Sequence, residues 1–283
     1  SWYNNRSGNQ LIDYPLPYTS GPFGHYVVNL PALLSNRGFE FELAIAPVRT
    51  KKMTWTITGN ASLTRNKLLK YPGLESSSFA NTYVIGEDIS IVKAYSFTGV
   101  NVQTGLPEYE DVNRDGRISA PDDYVIIGKT SPSSYGGVGT DIQYYGFQFS
   151  VFFQFSNQYA QGLSTIPGTR SNKFRIALQR WQKPGDITPI PRATITATTP
   201  YLNLARSDAA FYDASYWRLK NVSLSYKLSE KIAHKMRMSS CRIYCEGQNL
   251  LTWHKEGNLY DPETANGGIA PLMTVVFGIQ LTF

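Results

Sequence analysis

The fold is decided by the stretch Phe147-Gln148-Phe149-Ser150-Val151-Phe152-Phe153-Gln154-Phe155, in which every odd position is large and apolar and the even positions are mostly polar. Neighbouring side chains of a β-strand point to opposite faces of its sheet, so the alternation predicts a strand with one apolar and one polar face. A strand of this kind suits a sheet that separates water from an apolar phase.

Six further segments show the same two-residue period, and each is predicted to be a strand. In residues 53–66, for example, Met53, Trp55 and Ile57 face one way while the intervening threonines face the other. The six segments are residues 38–47, 53–66, 135–145, 215–228, 240–251 and 273–283. The chain is therefore predicted to be all-β.

The connections between these strands alternate between short and long. The short ones are residues 48–51, 145–146 and 229–238, and the long ones are residues 5–36, 67–134, 157–213 and 253–272. Most connections in a compact domain have about 2–6 residues, so the long ones are unusual. A regular alternation is typical of a transmembrane antiparallel β-barrel, with turns at the periplasmic rim and long loops at the extracellular rim.

The composition fits one membrane-embedded domain that covers residues 1–283. Of the 283 residues, 42% are hydrophobic and 17% are charged, against an ordinary charged share of about 25%. All-β barrels exceed 200 residues without dividing into domains. The sequence has no run of 18 or more apolar residues, so no membrane-spanning helix is predicted.

The net charge of +6 does not indicate a nucleic-acid partner. Nucleic-acid binding needs basic residues that are clustered into a patch or stripe. In this sequence they are scattered in ones and twos, and Arg49, Lys51 and Lys52 are the one tight group. No nucleic-acid partner is therefore expected.

Aromatic residues near the predicted strand ends are typical of the belts that membrane barrels place at the two interfaces. The residues in question are Tyr135, Tyr144, Tyr145, Tyr216, Trp217 and Tyr226. The general preference of aromatic residues for strands is the alternative explanation. The last predicted strand, residues 273–283, is expected to close the barrel, although a buried last strand of a soluble protein has the same pattern.

With the strands placed, the chain resembles the C-terminal part of SusC/RagA-type TonB-dependent outer-membrane transporters along nearly its whole length. The motifs that carry the resemblance occur in order: Leu11-Ile12-Asp13-Tyr14-Pro15-Leu16-Pro17; Asn36-Arg37-Gly38-Phe39-Glu40; Tyr109-Glu110-Asp111-Val112-Asn113-Arg114-Asp115-Gly116; Arg180-Trp181 with Pro184-Gly185-Asp186 and Ile190-Pro191-Arg192; Ser215-Tyr216-Trp217-Arg218-Leu219-Lys220-Asn221-Val222; Gln248-Asn249-Leu250; Asp261-Pro262-Glu263; and Phe277-Gly278-Ile279-Gln280-Leu281-Thr282-Phe283. One departure is Leu272-Met273, where the family often has an arginine.

The resemblance implies a barrel of about 22 strands, of which this chain supplies roughly the last eight, the first one partly. It also implies a plug domain and a TonB-contacting segment outside this chain, and a SusD-like surface lipoprotein as partner. The expected function is active import of oligosaccharides or peptides across the outer membrane of a Gram-negative, Bacteroidetes-like bacterium. A passive porin or adhesin barrel and a secreted glycan-binding β-protein are the alternatives.

One segment of the second long loop follows the pattern of a calcium-binding loop. Oxygen donors stand at positions 1, 3 and 5, a glycine at position 6 and a carboxylate at position 12. The predicted metal residues are Asp111, Asn113, Asp115, Arg117 through its carbonyl, and Asp122, with Ser119 through water and Asp123 as a substitute. The positive side chains of Arg114 and Arg117 oppose a bound cation, and a plain Asx-rich turn is the alternative.

No catalytic or cofactor-binding residues are predicted, so the chain is not expected to be an enzyme. The three histidines are isolated, and the sequence contains neither a metalloprotease helix motif nor a nucleophile elbow. The charged residues Glu40, Glu42, Arg242 and Glu246 are expected to face the lumen, where solvated or plug-paired carboxylates are more usual than a glycosidase pair.

Aromatic residues of the long loops have three possible roles. Tyr109, Trp181, Tyr201 and Trp253 can stack on sugar rings, pack the loops against each other or contact the lipoprotein. Gly136, Gly137 and Gly139 fall within a predicted strand, where glycine relieves crowding or allows the barrel to bend.

Overall fold

The computed structural model describes residues 1–15, 25–162, 173, 175–255, 261–264 and 268–283. In this part the strands are β1 (Trp2–Gly8), β2 (Leu11–Pro15), β3 (His25–Asn29), β4 (Leu33–Arg49), β5 (Met53–Lys70), β6 (Ile91–Tyr95), β7 (Phe97–Val100), β8 (Pro107–Tyr109), β9 (Tyr124–Lys129), β10 (Ser134–Tyr144), β11 (Phe147–Asn157), β12 (Tyr159–Gln161), β13 (Phe211–Asp213), β14 (Tyr216–Lys227), β15 (Ser240–His254) and β16 (Thr274–Thr282). Two short helices are α1 (Thr199–Leu204) and α2 (Glu230–Lys235). No helix among the described residues has the length and hydrophobicity needed to cross a membrane.

Eight of the strands form one antiparallel sheet, in the order β1-β4-β5-β10-β11-β14-β15-β16. All seven strands that the alternation predicts are present in it, and the all-β prediction is confirmed. The predicted strand at residues 38–47 extends to Leu33 and Arg49, and the one at residues 240–251 extends to His254. The sheet is open, as expected for part of a barrel wall.

The short and long connections lie at opposite edges of this sheet. Residues 50–52, 145–146 and 228–239 connect strands at one edge, which we call the short-turn edge. Residues 9–32, 71–133, 158–215 and 255–273 connect strands at the other, the long-loop edge. The predicted alternation of loop lengths is confirmed. Residues 16–17 of the first quoted motif lie outside the described residues.

Register brings the apolar positions of neighbouring strands onto one face. Near the short-turn edge, Tyr144 pairs with Phe147, Phe147 with Tyr226, Tyr226 with Ile243, and Ile243 with Ile279. Phe147, Ile243 and Ile279 remain 51%, 48% and 65% exposed. A continuous, exposed apolar face of this kind suits the lipid-facing side of a barrel wall.

The opposite face of the sheet is polar, as the alternation predicts. One row across it joins Glu42 to Asn60, Gly137, Gln154 and Arg218 in turn. The predicted role of the glycines in relieving crowding is confirmed at Gly137, where an added Cβ would lie 2.4 Å from the ring of Phe152. Phe152 thus occupies space on the polar face that only a glycine leaves free.

Two of the predicted belt residues lie on the polar face instead. Tyr216 is buried, with 5% of its surface exposed, and its hydroxyl accepts a hydrogen bond from Gln154. Tyr135 pairs with Ser156, which in turn pairs with Tyr216, so it shares that face. The belt prediction is wrong for these two residues because strand parity, which fixes the face, overrides their position near a strand end.

Small two-stranded sheets and short helical turns build a layer of loops at the long-loop edge. These sheets pair β2 with β3, β6 with β9, β7 with β8, and β12 with β13. Leu30, Leu34, Leu68, Tyr71 and Leu74 form a small core where this layer meets the sheet. The described parts of the loops are therefore packed structures at the end of the wall.

Candidate functional site

The acidic loop that resembles a calcium loop is a tight turn organised around Asp111. It lies in the connection between β5 and β10, at the long-loop edge. The Asp111 carboxylate accepts backbone N–H bonds from Arg114, Asp115 and Gly116 at 2.7, 3.2 and 2.8 Å. Gly116 has a φ of +82°, a left-handed conformation that glycine adopts without strain. The glycine at position 6 is thus explained by the backbone.

Two more of the predicted metal residues join the same turn. Asn113 donates a side-chain hydrogen bond to Asp115 at 3.2 Å and accepts one from the Asp115 backbone N–H at 3.0 Å. The Asp115 carboxylate accepts a bond from the Arg117 N–H at 2.8 Å. The structure therefore brings Asp111, Asn113, Asp115 and Arg117 together.

The carboxylate that closes the loop is Asp123 rather than Asp122. Asp123 is fully buried and accepts N–H bonds from Val112 and Ser119, each at 2.8 Å, whereas Asp122 is exposed. The bond from the Ser119 N–H lowers the pKa of Asp123; burial opposes that shift, and the bonds from Val112 and Asn113 reinforce it. Asp123 thus fixes both ends of the loop, a role that the sequence pattern did not assign to it.

The donor types of this loop suit a hard cation, but its carboxylates already hold backbone N–H groups. In the described part of the chain, no group of three or more histidine, cysteine, aspartate or glutamate side chains is arranged to hold a metal ion. The hydrogen bonds of Asp111, Asp115 and Asp123 are those of an Asx-rich turn. The cation site at Asp111, Asn113, Asp115, Arg117 and Asp122 stays a prediction.

A cluster of aromatic rings supports the strands on either side of this loop. The ring of Tyr95 lies 4.7 Å from that of Tyr124 and 5.7 Å from that of Tyr109. The Tyr109 hydroxyl donates a 2.6 Å bond to the carbonyl of Pro200 in the first turn of α1. Burial raises the pKa of Tyr109 well above its ordinary value, with a further contribution from Tyr95. Tyr109 therefore packs one loop against another.

Trp181 and Tyr201 also pack the loops. They are 9% and 1% exposed, and each donates a hydrogen bond to a carbonyl, Trp181 to Val102 at 3.1 Å and Tyr201 to Arg192 at 2.9 Å. Trp253 lies on the apolar face, where it pairs with Trp217. For Tyr109, Trp181 and Tyr201 the structure favours packing of the loops over stacking on a sugar ring. Trp253 was expected in a long loop but lies in β15, so the prediction of a loop role is wrong for this residue.

An ion cluster on the polar face is the feature that sequence reasoning missed. Arg218 is 1% exposed and lies 2.5 Å from Asp261 and 3.3 Å from Glu263. Lys220 extends the cluster with a 3.0 Å contact to Glu263. Two motifs quoted for the resemblance, residues 215–222 and 261–263, thus meet in space. Their opposite charges were the available signal.

The cluster connects the last long loop to the wall. Gln158, just after β11, donates a 2.9 Å bond to the carbonyl of Pro262, and Ser156 donates a 2.8 Å bond to the Gln158 side chain. Arg218 also lies over the Tyr216 ring, 5.7 Å from its centroid. The described part of this loop is therefore bound to the polar face of the sheet.

Comparison with known proteins gives several similar chains, although no family model matches. The chain is 28% identical to TonB-dependent receptor P26 of Formosa agariphila, over 95% of this chain and 29% of that protein. It is 27% identical to receptor P3 of the same organism, over 89% of this chain and 27% of that protein. It is 25% identical to TonB-dependent receptor SusC of Bacteroides thetaiotaomicron, over 88% of this chain and 26% of that protein. The chain therefore spans less than a third of these relatives.

Solved structures show the same fold. The RagAB peptide transporter aligns with a TM-score of 0.77 and 22% identity, and the RagAB peptide importer in its closed-closed state with 0.79 and 23%. Each alignment covers 100% of this chain and 33% of the other. The relatives are named as receptors and transporters, which agrees with the expectation that the chain is not an enzyme. The resemblance read from the motifs is confirmed: this chain is similar to TonB-dependent receptors, SusC among them, and its fold matches part of the solved RagAB chains.

Proposed function

We propose that residues 1–283 form part of the wall of an outer-membrane transporter that imports nutrients actively and depends on TonB. The observation that carries the proposal is the similarity to TonB-dependent receptors over 88–95% of this chain, loops included. The exposed apolar face supports the outer-membrane placement, because such a face needs lipid to cover it.

The proposed cargo is peptides or oligosaccharides, and the proposed partners are a SusD-like lipoprotein at the long-loop edge and TonB through a region outside this chain. One structural neighbour is named as a peptide transporter. The described parts of the long loops are packed on one another and on the sheet, so they offer a preformed surface to a partner. The remaining partners are membrane lipid and the rest of the same barrel.

The importer is tested by uptake in cells that carry the full-length protein. We expect uptake of labelled peptides or oligosaccharides to stop when TonB is deleted or when a protonophore removes the proton-motive force. Uptake that continues at the same rate without either one would instead identify a passive porin. The matched control is the same protein without its TonB-contacting segment, because this variant loses the contact to TonB but keeps the barrel intact.

The partnership is tested separately by purification. A tagged full-length transporter is expected to co-purify with a surface lipoprotein. Full uptake in a strain without that lipoprotein would contradict the proposed pairing and leave the importer itself intact.

A further inference from the structure

The short-turn edge of the sheet carries an excess of positive charge. The segments 43–53, 142–148 and 226–239 contain seven lysines and arginines and one carboxylate, Glu230. The seven are Arg49, Lys51, Lys52, Lys227, Lys231, Lys235 and Arg237. The long connection 71–133 at the other edge has the opposite balance, with nine carboxylates and four lysines or arginines. The fold thus brings seven of the 27 lysines and arginines to one edge of the sheet.

These seven side chains are open to solvent, and Lys52 Nζ also lies over the Tyr145 ring, 5.4 Å from its centroid. All of them are exposed, and no ion pair in the described part of the chain includes any of them. Hydrogen bonds from Tyr145 N–H to the Lys52 carbonyl (3.3 Å) and from Lys227 N–H to the Gly146 carbonyl (2.9 Å) join the neighbouring turns. Lys51, Lys52 and Lys227 line one cleft of about 430 Å³ between those turns. The positive charges therefore share one surface.

The apolar face borders this surface directly. Tyr144, Phe147 and Tyr226 are neighbours at the strand ends, and the rings of Phe147 and Tyr226 are 4.4 Å apart. Helix α2 leaves Ile232 and Met236 exposed, each next to a lysine in the sequence. Aromatic rings beside lysines are the arrangement that fits a membrane interface, where the rings occupy the headgroup level and the long basic side chains reach past it.

We infer that the short-turn edge binds the phosphate groups of anionic phospholipids in the leaflet next to it. Basic side chains near a membrane surface attract anionic headgroups, and the cleft between Lys51, Lys52 and Lys227 gives one phosphate several cationic neighbours. Lipid is favoured over an acidic protein because the charge continues into an aromatic and apolar border. The inference rests on the proposed placement in the outer membrane.

The experiment measures lipid preference in the purified full-length transporter. Native mass spectrometry counts phosphatidylglycerol and phosphatidylcholine bound from mixed micelles of the two. The variant Lys51→Gln/Lys52→Gln/Lys227→Gln is expected to lose its preference for phosphatidylglycerol by at least about tenfold. The matched control, Lys67→Gln/Lys70→Gln/Lys93→Gln, changes three lysines toward the other edge and is expected to keep it.

Two results would overturn the inference. The first is an unchanged preference for phosphatidylglycerol in the variant Lys51→Gln/Lys52→Gln/Lys227→Gln. This includes the case in which that variant instead loses a co-purifying acidic protein. The second is an equal loss in both variants, which would indicate an effect of net charge alone. The lipid measurement needs neither TonB nor cargo. Uptake that is independent of TonB would therefore contradict the proposed importer function without affecting the result on lipid binding.

Discussion

Arg218 and Asp261 are joined by a two-oxygen contact across 43 residues of sequence, with Nη2 of the arginine 2.6 Å from Oδ1 and 2.5 Å from Oδ2 of the aspartate. The arginine is 1% exposed and projects from the polar face of β14, and the aspartate begins the short described segment of the last long loop. The position of that segment against the wall therefore depends on a buried charge and its partner.

Replacing Arg218 with alanine is expected to release this loop. The change leaves Asp261 and Glu263 without their shared cation, and breaking a largely buried ion pair costs about 3 kcal/mol. The expected results are a lower unfolding free energy of the full-length protein in detergent and faster proteolytic cleavage within residues 255–273. Lys220→Gln is the control, since its contact is partly exposed and contributes about 0–1 kcal/mol. Equal cleavage rates in both variants would contradict the role given to Arg218.

The buried carboxylate of Asp123 makes the acidic loop sensitive to low pH. Its pKa in the folded chain lies below the ordinary value of 3.8, so its contribution to stability is complete above that value. The contribution is lost as the pH falls from about 4 through the lowered pKa. The protection factors of the Val112 and Ser119 N–H groups in hydrogen exchange, corrected for the intrinsic pH dependence of amide exchange, are expected to fall over that range.

Two variants, both studied in the presence of a chelator, test whether Asp123 is the carboxylate that closes the loop. Asp123→Asn is expected to show fast exchange already at neutral pH, while exposed Asp122→Asn keeps the wild-type profile. If Asp122→Asn alone changed the profile, the closing carboxylate would be Asp122, as the calcium pattern predicted.

Most of the sheet was predictable from the sequence, because alternation and loop length are local signals. The alternation in residues 147–155 predicts a strand directly, and the observed β11 is two residues longer and ends at Asn157. The loop layer was not predictable, because its strands are short. β8 and β12, for example, have three residues each, too few to show an alternation of apolar and polar residues. The contact between Arg218 and Asp261 depends on how the last loop folds back, which no local pattern encodes.

The cation prediction for the acidic loop is tested by titrating the full-length protein with calcium in a calorimeter. Binding is expected to release or absorb heat and to raise the unfolding temperature, because a ligand that binds the folded state stabilises it. Asp111→Asn/Asp115→Asn removes two of the predicted charges and is expected to abolish both effects. A wild-type protein that shows neither heat nor stabilisation leaves the loop as an Asx-rich turn.

Any residue other than glycine at position 137 of β10 is expected to lower stability, because the ring of Phe152 occupies the space that a side chain would need. A Cβ there would lie 2.4 Å from the Phe152 ring and 2.9 Å from the carbonyl oxygen of Phe153. Gly137→Ala is therefore expected to destabilise the full-length barrel by about 1–3 kcal/mol, the usual cost of overpacking. Gly59→Ala on the adjacent strand is the matched control, since the nearest atom to its Cβ is 3.8 Å away. Unfolding in urea compares the two variants, and adding Phe152→Ala to Gly137→Ala is expected to recover part of the loss. The same destabilisation in both single variants would show that glycine matters here for backbone freedom rather than for room beside Phe152.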